Sequence, residues 1–437
     1  MTVRNMGKAA FFNLQDQDGT IQIYIRKDDV GESYKVFKKC DLGDFVGIKG
    51  ECFKTKTGEL SIRARDFTLL TKAIRPLPEK YHGIKDTEIK YRKRYLDLIT
   101  NPESREIFIK RSKMISAIRE FLNEKGFLEV ETPVLHTIYG GAAAKPFTTH
   151  HNELNMDLFL RISPELYLKR LLVGGFEKVY DINKNFRNEG IDTTHNPEFT
   201  MMEVYQAYAD YNDMMHLLEQ MYEYVALKVL GTTKIKFKDQ EIDVKAPWDR
   251  ITMAEAIKKY AKIDVLNMSA DELMAFIKEN NIEFDKEERW GNMITVIYEE
   301  LCEDKFINPT FILDHPLEST PLCKTHRDDD RLIERFEPMC MGMELANAYS
   351  ELNDPIQQRK LLEDQQRQLA KGDEEANPLD EDFIQAIEQG MPPAGGLGVG
   401  IDRMLMLLLG QESIRDIIFF PTMKPIVEEK KESKKKE

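Results

Sequence analysis

Apolar and polar residues alternate with a period of two through the first seventy positions. Ile21, Ile23 and Ile25 interleave with Gln22, Tyr24 and Arg26, which predicts a strand over Thr20 to Arg26 with the isoleucines turned inward. Phe11 to Gln15 reads as its partner across the Asp18-Gly19 turn signal, and Asp44 to Phe53 and Leu60 to Leu69 flank a second turn at Thr57-Gly58. Strands this short and closely spaced predict a small all-β barrel. Phe12 and Leu14 share its apolar face, which leaves Phe11 outside with Asn13 and Gln15. An outward aromatic with cationic neighbours is what stacking on an unpaired base requires; a ring covered by another domain is the alternative.

The period then changes. Thr71 to Ser104 holds Pro76, Pro78 and the basic cluster Lys90, Arg92, Lys93 and Arg94, a linker and docking helix. Met114, Ile115, Ile118, Phe121 and Leu122 recur at helical spacing until Gly126, predicting a long amphipathic helix at the start of a second domain. Beyond it strands are expected over Phe127 to Thr132, Asp157 to Ile162, Lys178 to Glu189, Glu198 to Ala207 and Phe336 to Glu351. Helices are expected after Ser163-Pro164-Glu165, over Asn212 to Leu230 and within Thr252 to Glu300. Strands joined by loops, with helices inserted between groups, predict an α+β domain built on an antiparallel sheet, not a doubly wound parallel one.

Composition narrows the class. The longest wholly apolar run, Met404 to Leu409, is far below the ~20 residues that span a bilayer, so no membrane partner is expected. Residues 1–7 carry no secretory pattern, and five cysteines without a C-x-x-C pair fit reduced thiols in a cytoplasm. The net charge of −14 argues against a nucleic-acid partner until it is divided: residues 1–105 carry +6, leaving −20 on the rest. A basic front joined to an acidic body predicts a polyanion-binding appendage on an enzyme. Glu428 to Glu437, almost entirely charged, is expected to be a disordered tail.

No phosphate loop, zinc helix or nucleophile elbow is present. The run Gly395 to Gly400 lacks dinucleotide-fold spacing and leads through Ile401-Asp402-Arg403 into an apolar helix, which implies close backbone approach at a strand-to-helix junction. Arg403 there stands at the positive end of a helix dipole, where an anion such as phosphate, or a neighbouring carboxylate, is its natural partner. Period-two geometry puts Arg187 and Glu189 on one face of their strand. Phe199, Met201, Glu203 and Tyr205 share a face of the next, and Asn347, Tyr349 and Glu351 share one in the last. Glu337 and Glu344, with Arg187 and Arg403, supply the parts of a nucleoside triphosphate site: carboxylates for hard divalent cations and guanidinium forks for phosphate oxygens.

Phe186-Arg187-Asn188-Glu189, then His195 to Thr200, and later Gly398 to Arg403 closely resemble the motifs of class II aminoacyl-tRNA synthetases. Gly140 to Phe147 and Gly342 to Tyr349 are more similar to the lysine-specific members than to the aspartate or asparagine ones. The resemblance spans almost the whole chain and implies four parts. These are an OB-fold anticodon-binding domain at 1–70, with a first strand that looks cut short, a linker and docking helix at 71–105, a catalytic domain at 106–425, and the charged tail at 426–437. It further implies ATP as substrate, Mg²⁺, tRNA(Lys) and L-lysine as partners, and a homodimer built on the helix ending at Gly126 and the strand to Pro133.

Site roles follow by the same resemblance. Arg187 and Arg403 are the catalytic pair: Arg187 contacts the α-phosphate and also belongs to the lysine site, and Arg403 clamps the far phosphates. Glu189, His195, Asn196, Glu337, Gly400 and Asp402 help hold ATP, Phe199 stacks on adenine, and Glu337 and Glu344 hold Mg²⁺. Gly141 and Glu165 receive the α-amino group, with Asn347 near the carboxylate. Glu203, Tyr205 and Glu351 surround the ε-ammonium, a role that also stands on physical grounds, because a buried ammonium must be paired and hydrogen-bonded. Arg4, Phe11 and Gln22 match positions that read the central uridine of the anticodon. The alternatives are a relative that lysylates a protein, weakened by the presence of the front domain, an aspartyl- or asparaginyl-type enzyme, weakened by Glu203, Tyr205 and Glu351, and a non-catalytic nucleic-acid module, weakened by the retained arginines and carboxylates.

Overall fold

The computed structural model describes residues 4–77, 86–284 and 286–426, in two compact units divided after Asn101. The charged tail therefore lies outside the described residues apart from Ile426, and so does Pro78.

The front unit is a five-stranded sheet. Its strands are β1 (Arg4–Met6), β2 (Ala9–Gln15), β3 (Thr20–Arg26), β4 (Phe45–Lys54) and β5 (Leu60–Thr71), in the order β1-β2-β3-β5-β4. Period-two patterning sets the register: Phe12 faces Ile23 and Phe11 faces Tyr24, so Phe12, Ile23 and Ile25 enter a core with Phe37 and Phe67 while Phe11 stays outside, partly exposed. One expectation is corrected here. The barrel is not closed among the described residues, because β1 forms only three pairs, Arg4–Phe11 to Met6–Ala9, and does not reach round to β4. Two short helices, Lys27–Val30 and Ser33–Phe37, were not legible in the pattern.

The second unit opens with α1 (Pro102–Glu124), whose Met114, Ile118, Phe121 and Leu122 are buried at the predicted helical spacing. Its main sheet runs β6 (Leu128–Glu129), β7 (Lys178–Phe186), β8 (Glu198–Ala207), β9 (Asp249–Thr252), β10 (Thr310–Pro316), β11 (Leu332–Cys340), β12 (Ala346–Ser350) and β13 (Ala394–Gly400) along the chain. In space the order is β9-β10-β11-β12-β13-β8-β7-β6, with Met343–Glu344 pairing β11. The centre is antiparallel as expected, with one parallel pair at each end, β6 with β7 and β9 with β10. The strand expected over Phe336 to Glu351 is broken, because Met341 and Gly342 both take positive φ and form the turn between β11 and the strand segments that follow. β10 was missed: its buried Thr310, Phe311 and Ile312 make a continuous run with no alternation to read.

Two helices matter most for the site. α2 (Glu165–Val173) follows Ser163-Pro164, and α3 (Ile401–Leu408), with Ile401, Met404, Leu405, Met406 and Leu407 fully buried, follows β13 directly. No helix among the described residues is long and apolar enough to cross a membrane.

Candidate active site

One face of the central strands forms the floor of a cleft of about 1260 Å³. Register explains the glycine run: Gly396 of β13 lies between Tyr349 of β12 and Tyr205 of β8, and Gly398 lies between Asn347 and Glu203. A Cβ on Gly396 would overlap the Glu351 carboxylate and come within 2.7 Å of Tyr205. These glycines are required because side chains from both neighbouring strands fold over them.

The deep end holds three buried carboxylates. Glu203 accepts from the Ser163 hydroxyl at 2.7 Å and the Tyr205 hydroxyl at 3.0 Å. Glu165 accepts from Tyr349 at 2.7 Å and from the Lys169 ammonium at 2.7 Å. Glu351 meets the same ammonium at 2.5 Å, while its Oε1 has no hydrogen-bond partner. Burial, reinforced by the Glu165 charge beside both, lifts the Glu203 and Glu351 carboxyls to about 8. Two carboxyls raised this far want more positive charge than the protein supplies. Gly141, at φ +88°, closes the pocket near Glu165; a Cβ there would stand 2.8 Å from the Ser163 hydroxyl.

Lys169 was not among the predicted residues, and Tyr349 and Ser163, placed on their strand face and at their helix start, were given no role in the pocket. A signal for Lys169 was present: it follows Glu165 by four positions on a helix whose Leu168 and Leu172 are buried, which stacks cation over anion on an inward face. The lysine does not turn the pocket into an anion site, since its ammonium is engaged by two carboxylates.

The outer end is cationic. Arg187 lies against the Phe199 ring at 5.2 Å and its Nε is buried without a partner, a guanidinium arranged for an anion that the protein does not provide. Arg403 donates to the Glu344 backbone carbonyl at 3.0 Å and its carboxylate at 3.2 Å, and its other arm meets His195 Nε2 at 3.0 Å. His195 Nδ1 lies 2.8 Å from Asp192, so Nδ1 carries the proton and Nε2 accepts from Arg403. Glu337 is paired with Arg335, which also donates to the Asn347 side chain at 3.0 Å. Glu189 lines the same cleft and is exposed to solvent.

Two predicted ATP residues line the cleft with their side-chain polar groups engaged by the protein. Asn196 donates to the Glu198 carbonyl and accepts from the Thr422 backbone, bracing its loop. Asp402 accepts from the Thr200 backbone at 2.7 Å and from Arg111 of α1 at 2.8 Å, so it anchors α3, and with it Arg403, to β8 and α1. Gly400 caps α3 against the Arg403 side chain.

The carboxylates near Arg403 suit a hard cation. Glu303 rises to about 7 and Glu344 is also raised, in both cases first by burial, with Glu337 adding to each and Glu299 to Glu303. No three potential ligands among the described residues form a preformed cage. Glu337 and Glu344, two neighbouring carboxylates in the cleft, are a donor set of the kind Mg²⁺ takes together with substrate phosphates.

In the front unit Phe11 packs against Tyr24 at 4.7 Å between ring centres and Tyr24 lies 6.1 Å from Phe53. Arg4 stands opposite Phe11 across the β1–β2 pair, and Gln22 accepts from Ser61 at 2.9 Å.

Comparison with known proteins covers both units. Residues 86–424 match the family model of class II tRNA synthetases (D, K and N), and residues 1–70 match that of the OB-fold nucleic acid binding domain. A lysine–tRNA ligase from Pelotomaculum thermopropionicum is 56% identical over 429 residues, covering 97% of this chain and 85% of that one. Lysine–tRNA ligases from Clostridium kluyveri and Bacillus mycoides are 55% and 54% identical, again over 97% of this chain and covering 86% and 85% of theirs.

Proposed function

The chain belongs to the class II tRNA synthetases of the D, K and N group, and from that membership we propose how its cleft performs lysine–tRNA ligation. L-lysine is activated by ATP to lysyl-adenylate with release of pyrophosphate, and the lysyl group then passes to the 3′ end of tRNA(Lys). The observation that carries the lysine assignment is the deep trio Glu165, Glu203 and Glu351, two of them held near 8 by burial and by the neighbouring Glu165 charge, at the end of an arginine-lined cleft.

The lysine carboxylate attacks the α-phosphorus in line; a carboxyl–phosphate bond forms as the bond to the β-phosphate bridging oxygen breaks, and pyrophosphate carries off the charge. A ribose hydroxyl of the tRNA then attacks the acyl carbon and AMP leaves. No protein nucleophile is needed, so catalysis is positioning and charge neutralisation. Glu203, Tyr205 and Glu351 take the ε-ammonium, Gly141 and Glu165 the α-amino group, and Asn347 lies beside the carboxylate. Arg187 meets that carboxylate and the α-phosphate, Phe199 stacks on adenine with Glu189 beside it, and Arg403, steadied by His195, clamps the outer phosphates. Asn196, Gly400 and Asp402 serve ATP by holding these groups in place. Glu337 and Glu344 hold Mg²⁺, which when bound offsets phosphate charge.

The front sheet binds the anticodon through Phe11, Arg4 and Gln22, with Tyr24 backing the stacking ring. A homodimer through α1 and the following strand is supported by the exposed apolar Leu128 and Leu135. A cytoplasmic location is supported by five free thiols. Amino-acid-dependent ATP–pyrophosphate exchange across the twenty amino acids tests the assignment. Exchange with lysine alone is expected; exchange with aspartate or asparagine, or none, overturns it.

A further inference from the structure

We propose that Lys169 sets the charge of the lysine pocket: its ammonium cancels one of three buried carboxylates, leaving two for a substrate with two ammonium groups. The inference rests on the lysine-pocket reading above and adds to it a residue that touches only the pocket's own walls.

Lys169 reaches the pocket from α2 and is wholly buried. Its ammonium lies 2.7 Å from Glu165 Oε1, 2.5 Å from Glu351 Oε2 and 3.4 Å from the Leu322 carbonyl, and 5.6 Å from the centre of the Tyr349 ring. It thereby ties the carboxylate assigned to the α-amino group to one assigned to the ε-ammonium. It takes Oε2 of Glu351 and leaves Oε1, which lies over Gly396 without a partner.

Three uncompensated anions in a space this dry are not tolerated, and without a cation at least one would stay protonated. With Lys169 in place the trio carries two net negative charges when ionised. A neutral amino acid brings one ammonium and leaves a buried anion unmatched, and an acidic one adds another, whereas lysine matches both charges. The titrating groups around this centre are Glu165 on α2, Tyr349 on β12, Glu351 beyond its end, Glu203 and Tyr205 on β8, and Cys323, which bridges to Glu351. Arg161 stands behind Glu203. Three arginines also act here: Arg161 is committed to Asp181 at 3.0 Å, Arg335, which acts on Cys323, is paired with Glu337, and Arg187 acts on Glu203 from the outer cleft, so none of them pairs with Glu165 or Glu351. Lys169 is therefore the counter-ion shared by Glu165 and Glu351, and it favours the ionised form of Glu351.

Pyrophosphate exchange with lysine, followed from about pH 6 to about pH 9.5 in the wild type, Lys169→Met and Lys169→Arg, tests this. Lys169→Met is expected to raise KM for lysine about tenfold or more near neutral pH with kcat changed less than about threefold. It should also move the pH at which KM levels off upward by about one unit or more. Lys169→Arg keeps the charge and should restore the wild-type levelling point even where its KM is higher. A Lys169→Met profile that coincides with the wild type overturns the inference while leaving the pocket reading intact; a wild type that does not activate lysine overturns the pocket reading itself. Should Lys169→Met fail to fold, a crystal structure of the wild type with lysine decides. An ammonium still within about 3 Å of both Glu165 and Glu351 supports the inference, and one turned away from either overturns it.

Discussion

The Glu351 carboxylate occupies the space that a side chain at Gly396 would fill. The two residues lie on neighbouring chain segments, and the glycine lets a buried acid lie flat against the sheet with its Oε1 left without a hydrogen-bond partner. A Gly396→Ala variant is therefore expected to displace Glu351 and Tyr205 together. Lysine-dependent exchange should fall by about a hundredfold or more, and overpacking should cost about 1–3 kcal/mol of stability. Exchange kinetics beside a thermal melt read both effects; normal lysine KM in a folded variant would contradict the pocket.

The raised carboxyls give lysine binding a defined pH dependence. Glu203 and Glu351 are held near 8 in the empty pocket, and an incoming ammonium favours their ionised forms, so binding expels protons below that pH. Lysine affinity should rise as pH increases from about 6.5 towards 8, then level off until lysine's own amines deprotonate. Calorimetry in two buffers of different ionisation enthalpy should report net proton release at neutral pH. Net uptake would be inconsistent with this pocket.

Glu203→Gln separates stability from function. A carboxyl whose folded pKa is raised above the ordinary value lends its full stability only below the unfolded pKa, near 4.5, and loses it as pH climbs through about 8. Gln keeps one acceptor oxygen for these two hydroxyls, of Ser163 and Tyr205, and offers the other an NH2 donor that its oxygen can accept, without the charge. The substrate-free variant should melt higher than the wild type at pH 8, by ~1 kcal/mol or more, with the difference shrinking towards pH 5, while lysine activation is lost.

Asp402→Asn tests the anchor behind Arg403. The ion pair with Arg111 is largely buried, at 2.8 Å, and removing one partner leaves an uncompensated charge worth about 3–5 kcal/mol. Exchange should weaken through a higher KM for ATP, with KM for lysine little changed. An equal rise in both constants would mean that Asp402 does not act through Arg403.

Phe11→Ala reports on the front unit alone. Losing one base-stacking ring costs about 1–3 kcal/mol, so KM for tRNA in charging should rise roughly five- to a hundredfold while lysine-dependent exchange stays at the wild-type rate. Loss of both activities together would show that the ring supports folding and not tRNA.

Local pattern alone determined a good deal. The period of two placed Phe12, Ile23 and Ile25 inside and Phe11 outside, and helical spacing found the buried face of α1, because these signals depend only on neighbours along the chain. Residue type and motif spacing likewise brought Arg187, Glu203, Tyr205, Glu351 and Arg403 forward; four of them line the one cleft, and Glu351 is buried beside it against Lys169. Other features needed the assembled sheet. That Gly396 and Gly398 make a floor follows from the order β12-β13-β8, which no sequence period encodes. Asp402 turns to Arg111 across 291 positions of chain, and Lys169 meets Glu351 across 182, so neither partnership has a local signature. The sequence thus determined which chemical groups this protein possesses and much of the faces they occupy. Only the tertiary structure decided which charges are buried together, because desolvation and Coulomb energy depend on distance in space and not along the chain.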